Sequence, residues 1–283
     1  MISIWHQGFV DFDQVPIYRN SFEDHITAIL PADTRIRLHG LMPDTFGPGV
    51  TPIDALRFPA VEALLEDQIV ASAELAEAEG FDAVAINCFY DPGLRIARSL
   101  VGIPVVSLFE SCTLTAMSLG ARFGMLALNG DQCRKHHELV AAYGLNDRFA
   151  GTRAVSPALN EAMLEAEAEA AAPVIAGIER ACRDLAQSGA EVIIPGDGVM
   201  NDFIWRHRIR TSGVELLDAA AVLMHHARYM AQLRASTGLG VSRAGHYATP
   251  ARAMLEHSRA LLAARPARED RFSGIGWIGA TVE

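Results

Sequence analysis

The sequence predicts an α/β protein in which parallel β-strands alternate with α-helices. Short runs rich in apolar and β-branched residues alternate with longer segments of helical spacing. The predicted strands are apolar almost without interruption, which is typical of parallel strands covered on both faces. The chain has 283 residues, enough for about two domains. Eight such strands fit either one large sheet or two four-stranded lobes.

Eight runs are predicted as strands. In order they are Ile2–Trp5, Arg35–His39, Ala83–Cys88, Pro104–Phe109, Phe123–Leu128, Arg153–Ser156, Val192–Pro195 and Val214–Leu217. The spacing of apolar residues predicts helices in the segments between them, namely Val61–Glu79, Pro92–Leu100, Cys112–Leu119, Cys133–Tyr143, Glu161–Gln187 and Ala219–Leu233.

Local signals set the expected helix boundaries. Asp91 followed by Pro92 predicts an N-cap and a first-turn proline, so a helix should begin just past Cys88. Ser111 is expected to cap the next helix. Gly120 and Gly144 stand where helices should end.

The carboxyl-terminal part changes in character. Pro173 is expected to break the long Ala/Glu-rich helix into two. Residues 238–243 and 274–279 are glycine-rich and loop-like, with a basic, alanine-rich helix predicted near Thr249–Ala264 between them. We therefore expect residues 236–283 to form an extension, folded back on the body or on a partner subunit.

Composition excludes several classes of protein. The net charge is −10, from 24 basic and 34 acidic residues, which argues against a nucleic-acid partner. No apolar run approaches the roughly 18 residues of a membrane span, and the first residues lack the pattern of a signal peptide, so we expect a cytoplasmic protein. Neither a nucleotide-binding glycine motif nor a metal-binding Cys/His motif is present. We therefore expect no metal.

A weak internal repeat marks the candidate site. Gly80–Cys88 can be laid over Gly189–Asp197 without a gap, at a constant offset of 109 residues. Each copy runs from a helix end through glycine and an acidic residue into an apolar strand, and ends at Cys88 or Asp197. Ligands of open α/β sheets bind beyond the carboxyl ends of strands, so two facing lobes would bring both side chains to one cleft. The same order of features also recurs in unrelated α/β proteins.

Two motifs carry a resemblance to a known family. Asn87–Leu94 resembles the first cysteine motif of the hydantoin racemases, in the aspartate/glutamate/hydantoin racemase superfamily. Glu191–Met200 resembles their second cysteine motif, and the similarity extends from about Gly47 to Leu233. Two departures stand out: Asp197 occupies the position of the second cysteine, and Trp5–Gly8 replaces an Asn-Pro-Asn-Thr stretch.

The resemblance implies two pseudo-symmetric lobes, each a parallel four-stranded sheet flanked by helices, with the active site in the cleft between them. The N-terminal lobe would comprise residues 1–115 plus 214–235, and the C-terminal lobe residues 116–213. The resemblance also implies a homo-oligomer and chemistry without a cofactor at a carbon acid, on a hydantoin-like or amino-acid-derived small molecule.

Such chemistry needs a base on one face of the reacting carbon and an acid on the other. Cys88 would serve as thiolate base or thiol acid, its thiolate stabilised by backbone N–H groups at a helix start. Asp197 could accept a proton, and could return one if burial raised its pKa. An unequal pair makes epimerisation or one-way isomerisation as plausible as racemisation.

Three alternatives stay open. Cys88 alone could protonate an enolate after decarboxylation, although decarboxylases of the superfamily keep the cysteine of the second motif. Cys88 could instead be a nucleophile with His6 or His207 as its base. A relative that has lost catalysis could simply bind a small molecule.

Further residues are expected to bind the substrate. Asn87 and Phe89 flank Cys88, and Gly196 and Gly198 permit close approach of the backbone. The remaining candidates lie near other strand ends: Gln7 on the same rim, Ser111 and Thr113 as polar contacts or simple helix caps, and Cys112 as a rival nucleophile. A basic cluster of Arg206, His207, Arg208 and Arg210 could attract an anion or be a solvated helix face.

Overall fold

A computed structural model describes residues 1–264, which form two sheets of four strands each. The first sheet contains β1 (Ile2–Gly8), β2 (Thr34–His39), β3 (Ala83–Asn87) and β4 (Val105–Ser107). The second contains β5 (Phe123–Ala127), β6 (Phe149–Ala154), β7 (Val192–Pro195) and β8 (Glu215–Leu216). The eight strands predicted from the sequence are all present, in two lobes rather than one sheet.

Ten α-helices cover the sheets within the described residues. They are α1 (Pro16–Ile29), α2 (Pro52–Ala55), α3 (Pro59–Ala78), α4 (Leu94–Leu100), α5 (Leu108–Leu119), α6 (Gly130–Ala142), α7 (Ala168–Gln187), α8 (Gly198–Arg206), α9 (Ala219–Thr237) and α10 (Arg252–Ala264). Short 3-10 helices span Asn146–Arg148 and Glu161–Glu165. Gly120 and Gly144 follow the ends of α5 and α6, as expected.

The two sheets have the same strand order. The orders are β2-β1-β3-β4 and β6-β5-β7-β8, and every pairing is parallel. β3 and β7 are therefore equivalent inner strands, and the internal repeat of the sequence corresponds to this equivalence. Cys88 and Asp197 both follow the carboxyl ends of these strands.

The chain leaves the second lobe slightly later than predicted. β8 pairs with β7 through Val192 and Glu215, so the second sheet extends beyond the expected boundary at residue 213. α9 then packs against β1, β3 and β4, which returns the chain to the first lobe. The predicted return at residue 214 is thus a few residues too early.

One further boundary differs from expectation. Pro173 lies inside α7, and the helical structure is interrupted earlier, between Glu165 and Ala168. The helix tolerates this proline because the lost backbone hydrogen bond falls near its amino end and Val174, Ile178 and other apolar residues bury one face.

The carboxyl-terminal extension folds back on the first lobe as far as it is described. Arg243 donates hydrogen bonds to the carbonyl oxygens of Arg98 and Val101, and Arg259 pairs with Glu74 of α3. The predicted basic helix is α10. The glycine-rich stretch at residues 274–279 lies outside the described residues. Among residues 1–264, no helix is long and apolar enough to cross a membrane.

A buried charged cluster joins elements of both lobes. His25 of α1 contacts Asp202 of α8 through Nδ1 (2.9 Å) and Asp218, the N-cap of α9, through Nε2 (2.8 Å). The ring of Trp205 stacks on His25 with 4.4 Å between centroids. Burial by itself lowers the pKa of His25, but the two carboxylates outweigh it and raise the pKa to about 9. His25 is therefore a buried cation at neutral pH.

Candidate active site

A cavity of about 110 Å³ lies between the lobes, at the carboxyl ends of β3 and β7. Cys88 and Asp197 both line it, together with the expected neighbours Asn87, Phe89, Gly196 and Gly198. Its other walls come from the start of α1, the loop around α2, α6 and the segment before α7. The polar lining residues that the sequence did not predict are Tyr18, Tyr90, Gln132, Asn160 and Glu161.

Cys88 lies in the turn between β3 and α4 and is partly exposed to this cavity. The expected stabilisation by a helix start is absent, because α4 begins only at Leu94, with Gly93 as its N-cap. Burial raises the pKa of the thiol well above its ordinary value, against a hydrogen bond from the backbone of Tyr90. Nearby carboxylates, including Asp197, raise it further. Cys88 therefore rests as a neutral thiol.

Asp197 is the N-cap of α8. Its Oδ1 accepts a hydrogen bond from the backbone N–H of Met200 (3.1 Å), and its Oδ2 accepts one from Nε2 of Gln132 (3.4 Å). Burial raises the pKa of this carboxyl, and those donors oppose the rise. The sequence expectation that burial could let Asp197 carry a proton thus has a physical basis in the site.

Gln132 is held rigidly behind Asp197. Its backbone N–H donates to the side chain of Asn129, the N-cap of α6, and its Oε1 accepts from the N–H of Leu128 (2.7 Å). These contacts leave Nε2 free to face Asp197. Sequence reasoning missed Gln132 because it lies within a helix, and only the capping pattern begun by Asn129 hinted at its position.

Tyr18 reaches the cavity from α1. Its hydroxyl accepts a hydrogen bond from Nδ2 of Asn87 (3.1 Å), and a Cβ atom built on Gly198 would lie 2.5 Å from it. A Cβ on Gly196 would lie 2.3 Å from both the Leu126 carbonyl oxygen and the ring of His136. Glycine at both positions therefore leaves room for these neighbours, and the close approach of a substrate to the two glycines stays a prediction.

Asp91 has a role different from the predicted helix cap. It adopts a left-handed backbone (φ 48°), and its carboxylate accepts hydrogen bonds from the Ser107 hydroxyl and the Phe109 N–H. The hydroxyl of Tyr143 in the second lobe also donates to it. Burial raises the pKa of Asp91 to about 6. Asp91 thus fixes the loop of Cys88 to α5 and to the opposite lobe.

Residues 111–113 lie away from the cavity, contrary to expectation. α5 begins at Leu108, directly after β4, so Ser111, Cys112 and Thr113 are buried inside the helix. Ser111 hydrogen-bonds to His226, and Thr113 donates to the carbonyl oxygen of Phe109. Ser111 is not an N-cap, and Cys112 is 0% exposed.

Gln7 also lies outside the cavity lining. It is buried, and its Nε2 donates to the carbonyl oxygens of Gly8 and Gly40. The alternation of side chains along β1 directs it toward α3, where its Oε1 meets Ser72. Gln7 therefore secures β1 within its sheet.

Among the residues that the structure describes, no histidine lines the cavity. His6 is fully buried, and burial lowers its pKa to about 3, while His207 follows the far end of α8. Neither proposed base for a nucleophilic cysteine thus lies beside Cys88. No group of three metal-binding side chains is found in residues 1–264. The three arginines of the basic cluster, Arg206, Arg208 and Arg210, line a separate cavity together with Trp205 and Asp218.

Comparisons with known proteins place this site in context. Residues 49–227 match the family model described as Asp/Glu/Hydantoin racemase. A hydantoin racemase of Rhizobium meliloti is 27% identical over 227 residues, covering 80% of this chain and 83% of that protein. A hydantoin racemase of Paenarthrobacter aurescens is 30% identical over 210 residues, covering 71% and 84% of the two chains.

Solved structures share the fold. Allantoin racemase from Pseudomonas fluorescens superposes with a TM-score of 0.68 at 24% identity, over 88% of this chain and 97% of that one. Arylmalonate decarboxylase superposes with a TM-score of 0.51 at 17% identity, over 86% and 96%. These likenesses concern the two-lobed architecture.

Proposed function

The chain belongs to the Asp/Glu/hydantoin racemase family, and from this premise we propose that it moves a proton at a carbon next to a carbonyl group, with Cys88 and Asp197 as the two proton-transfer residues. It is an enzyme of racemase type, as its hydantoin racemase relatives indicate. The proposal concerns the residues, the substrate and the direction of the reaction.

One observation carries the proposal. Cys88 and Asp197 follow equivalent inner strands of two like sheets, and both line one cavity. A carbon acid held between them would have one group on each face, as removal and return of a proton from opposite sides require. The lobes themselves thus supply the two-sided geometry.

The two groups differ in their resting protonation. Cys88 is a neutral thiol, ready to donate a proton, and an ionised Asp197 is ready to accept one. Reaction from the opposite enantiomer needs the thiolate and a protonated Asp197, and the raised pKa of the Cys88 thiol makes its thiolate the scarcer form near neutral pH. We therefore expect kcat to differ between the two directions.

The relatives and the polar lining of the cavity favour a hydantoin-like or amino-acid-derived substrate. The curated relatives are hydantoin racemases, and a solved relative in fold is an allantoin racemase. The side-chain amides of Asn87, Gln132 and Asn160 line the cavity and can donate to ring carbonyl oxygens or accept from ring N–H groups.

Proton exchange in heavy water tests the proposal. Wild-type protein should replace the α-proton of a single hydantoin enantiomer with deuterium while the optical rotation decays, followed by proton NMR and polarimetry. Cys88→Ser should abolish racemisation. Asp197→Asn keeps an oxygen to accept from Met200, so it should fold and should lose exchange on one face only. Unchanged racemisation by either variant would contradict the assigned pair.

A single-cysteine decarboxylase is the second candidate. It is favoured by the hydrogen bonds that engage both oxygens of Asp197, because a carboxylate committed to capping α8 would leave Cys88 as the only free acid. Release of carbon dioxide from phenylmalonate that depends on Cys88 but survives Asp197→Asn would favour this candidate over the first.

A further inference from the structure

The catalytic cavity is too small to hold a substituted ring alone. Its volume of about 110 Å³ falls below the roughly 300 Å³ at which ligand sites usually begin. A second cavity of about 470 Å³ adjoins it, lined by residues 14–17 at the start of α1 and by the loop of residues 47–52. Pro52 and Glu161 line both cavities and so form their common wall.

The second cavity has apolar walls and one charge. Val15, Ile17, Val50 and three prolines supply most of its lining, which suits a chain of methylene groups. Glu161 is the only charged residue that lines it, among the residues that the structure describes.

Glu161 has no counter-ion among the residues that the structure describes. Within residues 1–264 it forms no salt bridge, and no Lys or Arg lines either cavity. Its carboxylate lies close enough to Asp197 for its negative charge to raise the pKa of that group. Suppose that the reacting carbon lies beside Asp197. A side chain that extends from this carbon into the second cavity must then pass the carboxylate of Glu161.

We propose that the second cavity is the subsite for the side chain of the substrate, and that Glu161 selects side chains that carry a positive charge over those that carry a negative one. This inference rests on the proposed function, because it assumes that the reacting carbon lies between Cys88 and Asp197. It names basic substituents on the ring as the favoured class.

Three hydantoins that differ only in the side chain test the charge selection: aminobutyl, butyl and carboxypropyl. Their binding to Cys88→Ser, measured by calorimetry, separates recognition from turnover. We expect aminobutylhydantoin to bind about tenfold more tightly than carboxypropylhydantoin, with butylhydantoin between them. Adding Glu161→Gln should make the three affinities nearly equal. Glu165 is an exposed residue of the same 3-10 helix and lines neither cavity, so adding Glu165→Gln instead should leave the order of the affinities unchanged.

A second variant tests the place of the subsite. Val50→Trp would fill the second cavity from its exposed loop and should weaken butylhydantoin relative to unsubstituted hydantoin. The inference would be overturned if Glu161→Gln kept the order of the three affinities. It would also be overturned if Val50→Trp left the affinity ratio of butylhydantoin to unsubstituted hydantoin unchanged. If the three affinities follow the expected order but the wild type does not exchange the α-proton, the proposed function alone is refuted. If the wild type exchanges the α-proton but does not distinguish the three side chains by charge, this inference alone is refuted.

Discussion

At the scale of single residues, the charge around Cys88 governs its reactivity. The thiol is buried among carboxylates and is not at a helix start, so its pKa is raised and it requires alkaline conditions to ionise. Glu62, one of those carboxylates, is paired with Lys135, whereas Asp197 lines the same cavity as Cys88.

Replacement of Asp197 should therefore make Cys88 more acidic. We expect alkylation of Cys88 by iodoacetamide to rise with pH without a plateau below about pH 9 in the wild type. In Asp197→Asn the same curve should shift to lower pH, because a neighbouring negative charge is gone. Cys88→Ser supplies the background from the other cysteines. A curve that shifts upward or stays in place would show that Asp197 does not act on the thiol.

At the scale of elements, the turn between β7 and α8 depends on Gly196, because neighbouring atoms occupy the space that a side chain would need. Gly196→Ala would place a Cβ 2.3 Å from the Leu126 carbonyl oxygen and the buried ring of His136, neither of which can retreat easily. We expect a loss of about 2 to 4 kcal/mol in the free energy of unfolding, measured by urea titration. Gly130→Ala is the matched control, because a Cβ there meets nothing within 4 Å. Equal stability of the two variants would contradict this account of the turn.

The elements that the sequence predicts well are those with strong periodic signals. Most of the eight strands were predicted because they are short apolar runs bounded by turns, and the strand-end rule then indicated Cys88 and Asp197 as candidates. α1 was missed because Val15 caps it without a side-chain hydrogen bond and its composition is mixed, and Tyr18 was missed with it. Residues 111–113 were misplaced because α5 follows β4 with no loop between them.

Other parts of the site carry no local signal. Gln132 and Glu161 reach the cavity from a helix and from a 3-10 helix, and the tertiary packing of the second lobe brings them near Asp197. Sequence periodicity describes each element separately and contains no information about contacts between elements. The two sheets could be predicted, whereas most of the polar lining of the cavity could not.

At the scale of the whole molecule, His25 links the lobes by charge. Its pKa rises from 6.5 in the unfolded chain to about 9 in the folded protein, because Asp202 and Asp218 stabilise the cation. A raised pKa contributes stability that is fully present below about pH 6.5 and is lost as the pH rises through about 9. The ionised imidazole should contribute at most about 3 kcal/mol.

Stability should accordingly decline between about pH 7 and about pH 10. Urea titrations across this range should show a steeper decline in the wild type than in His25→Gln. The variant should also be less stable at neutral pH, because the buried carboxylate of Asp202 and the partly exposed one of Asp218 lose their partner. His246→Gln, at an exposed position of the extension, should behave like the wild type. Parallel curves for the wild type and His25→Gln would show that His25 does not carry the alkaline transition.

The return of α9 to the first lobe sets the order in which a newly made chain can mature. Synthesis proceeds from the amino terminus, yet β1, β3 and β4 lack the helix that covers one of their faces until residues 219–237 have left the ribosome. The second sheet, by contrast, is contiguous and is complete once β8 has emerged. The second lobe, although its strands are made later, is therefore the first that can close, and the sheet that carries Cys88 is covered on that face only after α9 has emerged.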